Sequence, residues 1–232
     1  MTDTAKGTFD KAAGEFPAKA PEQACETCGD DCAKCQEEMK KALQGKLHDK
    51  GVGPYSAKDL NDATVTTFGE LSAREAKGAE AIATQQREAD GIAAMMFNRH
   101  DAVASGNRPK GSNFTPGKTP HTLSGVATNK SQFHGQAGGK KMLQQLTRGK
   151  LTGEPCRRQC QRWRASKKAV DKFANDKGAL DKYNQDNGKF YYNRAVNQAG
   201  GARTLDTGRG EVRIGGTDFS GRPMGTDATS DN

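Results

Sequence analysis

Six cysteines in two groups constrain the fold of this chain more than any other feature of its sequence. Four lie close together and two lie much later in the chain: Cys25, Cys28, Cys32 and Cys35, then Cys156 and Cys160. The first group has the spacing C-x2-C-x3-C-x2-C, which places all four thiols along one face of a helix. The second group repeats the i, i+4 spacing of Cys28 and Cys32. Two such helices lying side by side can be joined by two disulfides. Disulfides favour a protein that functions in an oxidising compartment.

Two alternatives to disulfides are open at this point. Zinc ribbons usually separate their two C-x2-C pairs by a dozen or more residues, so that two knuckles can face one ion. Here only three residues separate the pairs, which is too few for that geometry. Reduced cysteines with a structural role are the second alternative. The spacing does not indicate which sulfur bonds to which.

Large apolar residues are few for a chain of 232 residues. Leu, Ile, Val and Phe together make up about one residue in eight, below the roughly 20% under which disorder becomes a real alternative. The formal net charge of +8 is too small for charge repulsion alone to unfold the chain. We therefore expect a modest core of Ala, Met and aromatic residues, surrounded by long polar loops.

The charge balance indicates an anionic partner. A protein with a pI near 9.2 is positively charged at neutral pH, which favours binding to nucleic acid, a lipid surface or an acidic cell-wall polymer. Much of the basic excess lies in one segment, which contains Arg157, Arg158, Arg162, Arg164, Lys167 and Lys168. This segment is either a solvated helix face or an anion-binding patch. No apolar run approaches the roughly 20 residues needed to cross a bilayer.

Hydrophobic periodicity predicts a mainly α chain with a few short strands. The predicted regions are a polar N-terminal arm with a cysteine-rich helical segment (1–54), a main domain (55–221) and a disordered tail (222–232). Ser56 and Asp59 resemble a helix-capping box. The predicted elements are helices over 57–74, 85–101, 138–148 and 155–186, and short strands at 190–192 and 212–214. Residues 75–84 can be helix or loop, and the Gly- and Pro-rich stretch 104–130 is predicted to be a long loop.

One glutamate has a setting that suits acid catalysis. Glu70 follows Phe68 and Gly69, and the next predicted helix carries an apolar stripe that ends in Asn98 and Arg99. Partial burial disfavours the charged form of a carboxyl group, so such a glutamate can donate a proton to a glycosidic oxygen. The alternative is an ordinary glutamate on a helix surface.

These segments resemble the bacterial cell-wall hydrolases of the spore cortex-lytic type. Their pattern reads T-x-[YF]-G-E-A-R-G-E, a gap, then E-G-x-x-A-V-A-x-V-x-x-N-R; here Thr67-Phe68-Gly69-Glu70 matches the first half. Ala93, Ala94, Phe97, Asn98 and Arg99 are in register with the second half. Three further segments are similar to family elements in the same order: Ser131-Gln132-Phe133 to S-Q-F, 188–193 to G-A-x-F-Y-Y-N, and 213–219 to the closing I-G-x-H-x-F.

The resemblance implies a lysozyme-like, α-rich domain that cleaves the glycan strand of peptidoglycan, with Glu70 as the general acid. The expected substrate-binding residues are Gln132, Phe133, Tyr191, Tyr192 and Asn193, with the aromatic rings stacking on sugars; the alternative is that two of the three aromatic residues belong to the core. The chain departs from the pattern after Glu70, where the second acid, Glu75, comes one residue late. A longer insertion follows, and Thr217-Asp218 stands where a histidine is usual. The role of Glu75 is therefore open, and Glu80 or Glu88 could serve instead.

Two reaction outcomes are consistent with this site. An inverting hydrolase needs a second carboxylate about 6.5–9.5 Å from the first to activate water, and the candidates are Glu75, Glu88 and Asp90. A lytic transglycosylase needs none, because the 6-hydroxyl of the sugar attacks instead. No cofactor is expected. Asp206, Asp218, Asp227 and nearby carbonyls are weak calcium candidates, because their spacing matches no EF-hand loop.

The N-terminus lacks the apolar stretch of a secretory signal. We therefore expect synthesis in the cytosol and delivery by a secretion apparatus or by lysis. The resulting hypothesis is an antibacterial toxin that acts in the periplasm of a target bacterium, with an immunity protein as partner; a phage-type lysin is the other version. A different class of function is a basic, disulfide-linked module that binds nucleic acid or a secretion partner. A peptidoglycan amidase or peptidase using Cys and His is a third alternative.

Overall fold

Helices make up most of the chain that the computed structural model describes, namely residues 28–72, 78–107, 114, 121–129, 133, 135–149, 151–195 and 211–221. The helices are α1 (Cys28–Leu43), α2 (Ala57–Glu70), α3 (Gly78–Ala104), α4 (Leu123–Ala127), α5 (Gly135–Thr147), α6 (Gly153–Asn175) and α7 (Lys177–Asn187). The strands are β1 (Tyr192–Ala195), β2 (Val212–Ile214) and β3 (Thr217–Ser220). The prediction of a mainly α fold with a few short strands is confirmed.

Helix α2 begins at the predicted capping box and ends earlier than predicted. The backbone N–H of Asp59 donates to Ser56 Oγ at 3.2 Å, and Ser56 N donates to Asp59 Oδ2 at 2.8 Å. Both hydrogen bonds satisfy groups that would otherwise be unpaired at the helix start. At the other end, Leu71 adopts an extended conformation, so α2 ends at Glu70 rather than at residue 74.

Helix α3 lies at the centre of the main hydrophobic core. It spans 27 residues and extends beyond the predicted 85–101 at both ends. Its middle turns are buried on every side, including Ala89, Ile92, Met96 and Phe97 at 0% exposure. The predicted apolar stripe is therefore only part of what α3 buries, because α2, α4, α6, α7 and the strands all pack around it.

Two segments differ from the sequence-based prediction. The long helix predicted over 155–186 is two helices, because Asp176 leaves the helical conformation between α6 and α7. Helix α4 lies inside the segment predicted as a long loop. Thr122 caps its start, because the hydroxyl oxygen of Thr122 accepts a hydrogen bond from Gly125 N at 3.0 Å. Its five residues are too few to produce a detectable periodicity.

The three strands form one small antiparallel sheet in the order β1-β3-β2. Residues 212–214 form the predicted strand β2, whereas in the segment 190–192 only Tyr192 enters a strand. The central strand carries Phe219, which is completely buried against α3. A Cβ atom on Gly91 would lie 2.8 Å from the Phe219 ring, so a glycine at this position of α3 allows the sheet to dock.

Two disulfides join α1 to α6, as the cysteine spacing predicts. They link Cys32 to Cys156 and Cys35 to Cys160, with Cα–Cα distances of 6.0 and 5.9 Å that are normal for disulfides. Three of these sulfurs lie within 4.8 Å of one another, and they do so as disulfide partners rather than as a set of free thiolates for zinc. Cys25 and the side chain of Cys28 lie outside the described residues.

Helix α1 shares a second hydrophobic cluster with α2, α5 and α6. Met39 and Ala42 of α1 pack with Phe68, Leu143 and Trp163. This second cluster therefore contains residues from both sides of the domain boundary predicted at residue 54. The remainder of the predicted N-terminal arm, residues 1–27, and the predicted tail, residues 222–232, lie outside the described residues. Among the described helices, none is long and apolar enough to cross a membrane.

The disulfides make a prediction about stability. The sequence separations are 124 and 125 residues, and closing one loop of that size contributes about 4–5 kcal/mol in the chain-entropy model. We expect removal of Cys32 and Cys156 alone to cost little of this entropy, because the second disulfide still closes nearly the same loop. Removing all four cysteines should lower the free energy of unfolding by about 4 kcal/mol, measured by urea denaturation.

Peptide mapping by mass spectrometry checks the pairing itself. Proteolysis of the oxidised chain should release Cys32 linked to Cys156 and Cys35 linked to Cys160. A link between Cys32 and Cys160 would contradict this pairing.

Candidate functional site

Glu70 is the last residue of α2 and is half-buried at the start of α5. Its Oε1 accepts a hydrogen bond from the backbone N–H of Gly135, at 2.6 Å. Gly135 is the first residue of α5, so this carboxyl group lies at a helix N-terminus. The unpaired N–H groups and the dipole of a helix N-terminus favour a negatively charged group there. The arrangement orients the carboxyl group of Glu70.

Three glycines allow the backbones of α2 and α5 to touch at this place. A Cβ atom on Gly69 would collide with the carbonyl oxygen of Gly135, and one on Gly139 would collide with the carbonyl oxygen of Val65. No side chain larger than hydrogen fits at either contact without movement of the backbone. The glycines therefore set the distance between the two helices and bring Glu70 to Gly135.

Arg99 is a buried cation near Glu70. It is 2% exposed, and its Cζ lies over three aromatic rings, at 4.6 Å from the centroid of Phe133, 5.1 Å from Phe114 and 5.7 Å from Tyr192. Burial lowers the pKa of Arg99 to about 10, and the charges of Tyr192 and Glu70 oppose this change. The guanidinium therefore stays protonated at neutral pH, and Glu70 lies within its electrostatic reach.

The pair Asn98 and Arg99 holds the segment that carries the two tyrosines. Arg99 Nε donates to the carbonyl oxygen of Tyr191 at 2.5 Å, and Asn98 Nδ2 donates to that of Phe190 at 3.1 Å. Asn98 also exchanges two hydrogen bonds with the side-chain amide of Asn184 in α7. These backbone contacts place the tyrosine segment against the C-terminal half of α3.

The aromatic residues predicted to bind sugars occupy different environments. Phe133 is only 2% exposed and its ring covers Arg99, so the predicted stacking of Phe133 on a sugar is corrected to a role in the core. Tyr191 is half-buried and stacks on Phe114, with the ring centroids 5.7 Å apart. Tyr192 is half-buried, and burial raises the pKa of its phenol while the charge of Arg99 opposes the change. Both tyrosines retain exposed surface.

Glu88, a candidate for the second acid, is engaged inside the fold. It is 2% exposed; its Oε2 accepts from Ser72 Oγ at 2.7 Å, and its Oε1 accepts from Thr217 Oγ1 at 2.6 Å. Gly215 leaves room for this carboxylate, because a Cβ atom there would lie 2.7 Å from Oε2. Glu88 thus ties the residues after Glu70 to the β2–β3 hairpin, and the predicted role of activating water is corrected to an anchoring one.

The other candidate acids and ligands lie in different parts of the structure. Asp90 forms an ion pair with Lys172 of α6 at 2.9 Å, and Glu80 is exposed in the first turn of α3. Asp218, one of the calcium candidates, accepts two hydrogen bonds from Arg213, at 2.6 and 3.0 Å. Asn193 pairs with Phe219 in the sheet, but its side chain lies outside the described residues. Glu75, Gln132, Asp206 and Asp227 also lie outside the described residues.

Sequence reasoning missed two residues around the site. Arg162, assigned above to a solvated face or an anion-binding patch, is 2% exposed and points into the fold. Its signal is periodicity, because it shares a helical stripe with the buried residues Ser166, Ala169 and Phe173. Phe114 has no comparable signal, since it stands alone in a Gly- and Pro-rich segment.

Comparisons of the chain with models of protein families, with curated proteins and with solved structures find no match. The lysozyme-like character implied by the sequence resemblance therefore stays a prediction.

The glycine contact between α2 and α5 can be tested with a matched pair of variants in one helix. Gly139→Ala should lower the free energy of unfolding by about 1–3 kcal/mol, because its Cβ meets the backbone of Val65. Gly138→Ala should raise it by up to about 1 kcal/mol, because Gly138 is exposed, nothing lies within 4 Å of its Cβ position, and alanine favours helix. Urea denaturation of both variants measures the difference, and equal effects of the same sign would contradict the contact.

Proposed function

We propose that this chain cleaves the glycan strand of peptidoglycan and that Glu70 donates the proton to the glycosidic oxygen. One observation carries the proposal: segments that separately resemble the cortex-lytic pattern meet around Arg99. The Phe133 ring covers this guanidinium, the carbonyl of Tyr191 accepts its hydrogen bond, and the charge of Glu70 acts on it. These residues are distant in sequence, and all of them match motifs of one family. In an unrelated fold there would be no reason for them to be neighbours.

The contacts of Glu70 position its carboxyl group for the proposed proton donation. The hydrogen bond from Gly135 N holds one carboxyl oxygen and so limits the rotation of the group. After the proton has moved to the leaving oxygen, Glu70 carries a negative charge. Arg99 and the N-terminus of α5 are preorganised to stabilise that charge as it develops. General acid catalysis needs a proton donor that is held in place, and the hydrogen bond from Gly135 N supplies that constraint.

The second step depends on the availability of another carboxylate. Glu88 and Asp90 already have partners within the fold, so neither is arranged to activate water. In the transglycosylase outcome, the sugar 6-hydroxyl attacks C1, the bond from C1 to the leaving oxygen breaks, and the hydroxyl proton returns to Glu70. In the hydrolase outcome, Glu75 is the remaining candidate of the three. Both outcomes share the first proton transfer.

The Glu70 proposal predicts a loss of activity without a loss of fold. Glu70→Gln should reduce muropeptide release from purified peptidoglycan by roughly 10²–10⁴-fold. The melting temperature should change little, because the amide oxygen can still accept from Gly135 N. Glu37→Gln, on the exposed surface of α1, is the control and should retain activity.

Mass analysis of the same digests identifies the chemistry. Anhydro-sugar ends indicate transglycosylation, and reducing ends indicate hydrolysis. Full activity of the Glu70→Gln variant, or cut peptides with intact glycan, would contradict the proposal.

The proposed place of action is the periplasm of a target bacterium, where the chain would act as a toxin. Two disulfides support an oxidising compartment. Cells that express the chain with an added signal peptide should lyse, whereas cells that express it without one should grow, as followed by optical density. Equal toxicity of the two forms would contradict a periplasmic target. Glu70→Gln with the signal peptide is the control for toxicity unrelated to catalysis.

A binding module is the second candidate, and one surface favours it. An open groove between α1, α6 and α7 is lined by four lysines, Lys34, Lys167, Lys168 and Lys172, together with Arg164. Acidic residues interrupt this positive surface, and Asp171 pairs with Lys167 at 2.6 Å. Salt-sensitive retention on nucleic acid, unchanged by Glu70→Gln and without lysis, would favour this function over glycan cleavage.

A further inference from the structure

Arg162 of α6 binds the end of the helix that carries Glu70. Its Nη2 donates to the carbonyl oxygen of Leu71 at 2.7 Å and to that of Phe68 at 3.4 Å. The last carbonyls of a helix lack hydrogen-bond donors within the helix, and a buried cation at this place donates to them instead. Because Phe68 and Leu71 stand on either side of Glu70, both contacts act on the backbone that carries the carboxyl group.

The side chain of Phe68 is held by the same part of α6. The Arg162 guanidinium lies 5.0 Å from the centroid of the Phe68 ring, and the Trp163 ring meets Phe68 edge-on at 5.6 Å. Trp163 Nε1 in turn donates to Glu38 Oε2 of α1, at 3.1 Å. The end of α2 is therefore enclosed by two consecutive residues of α6.

Arg162 has its own supports. Its Nη1 donates to Gln159 Oε1 at 2.9 Å, and Cys160, two residues earlier, is bonded covalently to α1. Burial lowers the pKa of Arg162 to about 10, while the charge of Glu88 opposes the change. The guanidinium is therefore charged at neutral pH. Glu88 itself binds Ser72, so two buried charges hold the residues that directly follow Glu70.

We propose that Arg162 is a positioning residue for Glu70, acting through the carbonyls of Phe68 and Leu71 and not through contact with substrate. The proposal rests on the function proposed above, because it gives Arg162 a part in placing the proton donor. A displacement of about 1 Å in a reacting group can cost on the order of 10²-fold in rate. A small movement of the end of α2 is therefore enough to affect catalysis.

Kinetics of three variants of α6 test this role. Arg162→Met should lower kcat on purified peptidoglycan by roughly 10- to 100-fold and leave KM nearly unchanged, because the residue orients the acid and does not bind sugar. Arg162→Lys should recover part of kcat, since an ammonium keeps the charge but lacks the planar fork that reaches both carbonyls. Glu154→Gln, at the exposed start of the same helix, is the control and should keep the original kcat.

Hydrogen exchange supplies a measurement that does not depend on activity. The amide of Leu71 donates to the carbonyl of Thr67 at 2.9 Å and reports the last turn of α2. In Arg162→Met, exchange should become faster in residues 67–72 and stay unchanged in α7. If this variant fails to fold, Arg162→Lys, which keeps the charge, gives the same comparison.

The outcomes separate this proposal from the function on which it rests. Faster exchange in residues 67–72 together with a reduced kcat supports the positioning role. If the unmodified chain does not cleave peptidoglycan, the proposed function fails, and the positioning of residue 70 is judged on exchange alone. Unchanged exchange in residues 67–72, or an unchanged kcat in an active Arg162→Met variant, overturns the proposal.

Discussion

Buried side chains at the start of α6 connect this helix to α1 and to the end of α2, and the rest of the structure depends on these contacts. Cys156 and Cys160 attach α6 covalently to α1, and Arg162 and Trp163 then enclose Phe68 at the end of α2. A disulfide stabilises a fold mainly by restricting the unfolded chain, so it does not require a large apolar contact. In a sequence with few large aliphatic side chains, covalent links and directed hydrogen bonds hold helices that apolar area alone would hold weakly.

Buried charges perform much of the alignment in this molecule. Arg99, Arg162 and Glu88 are each 2% exposed. Burying a charge costs free energy unless hydrogen bonds or opposite charges compensate for it. Each of the three is compensated in part by hydrogen bonds to a segment distant in sequence: backbone carbonyls bind the two arginines, and hydroxyl groups bind the glutamate. Nη1 of Arg99 and Nε of Arg162 make no hydrogen bond among the described residues. Because hydrogen bonds are directional and apolar contacts are not, these three side chains determine orientation as well as proximity.

Much of the fold could be predicted, while the site could be predicted only in part. The capping box at Ser56, the core helix before Arg99 and the two bridges between cysteine segments all follow from spacings within a few turns of helix. The predicted end of α2 was four residues too late. Leu71 adopts an extended conformation, and its carbonyl oxygen is bound by a side chain from α6, a contact between segments distant in sequence. Phe133 was taken as a sugar-binding residue, but it packs on a cation that no local pattern connects to it.

The sequence by itself determined the helical character of the chain, the start of α2, the central position of α3 and the joining of two cysteine-bearing helices. These features depend on periodicity and on residues close together in the chain, both of which can be read from the sequence alone. Only the tertiary structure decided which sulfurs pair, which basic residue of α6 turns inward, and which carboxylate is held inside the fold. Those choices depend on contacts between residues separated by 16 to 129 positions, where packing geometry and not sequence spacing sets the distance.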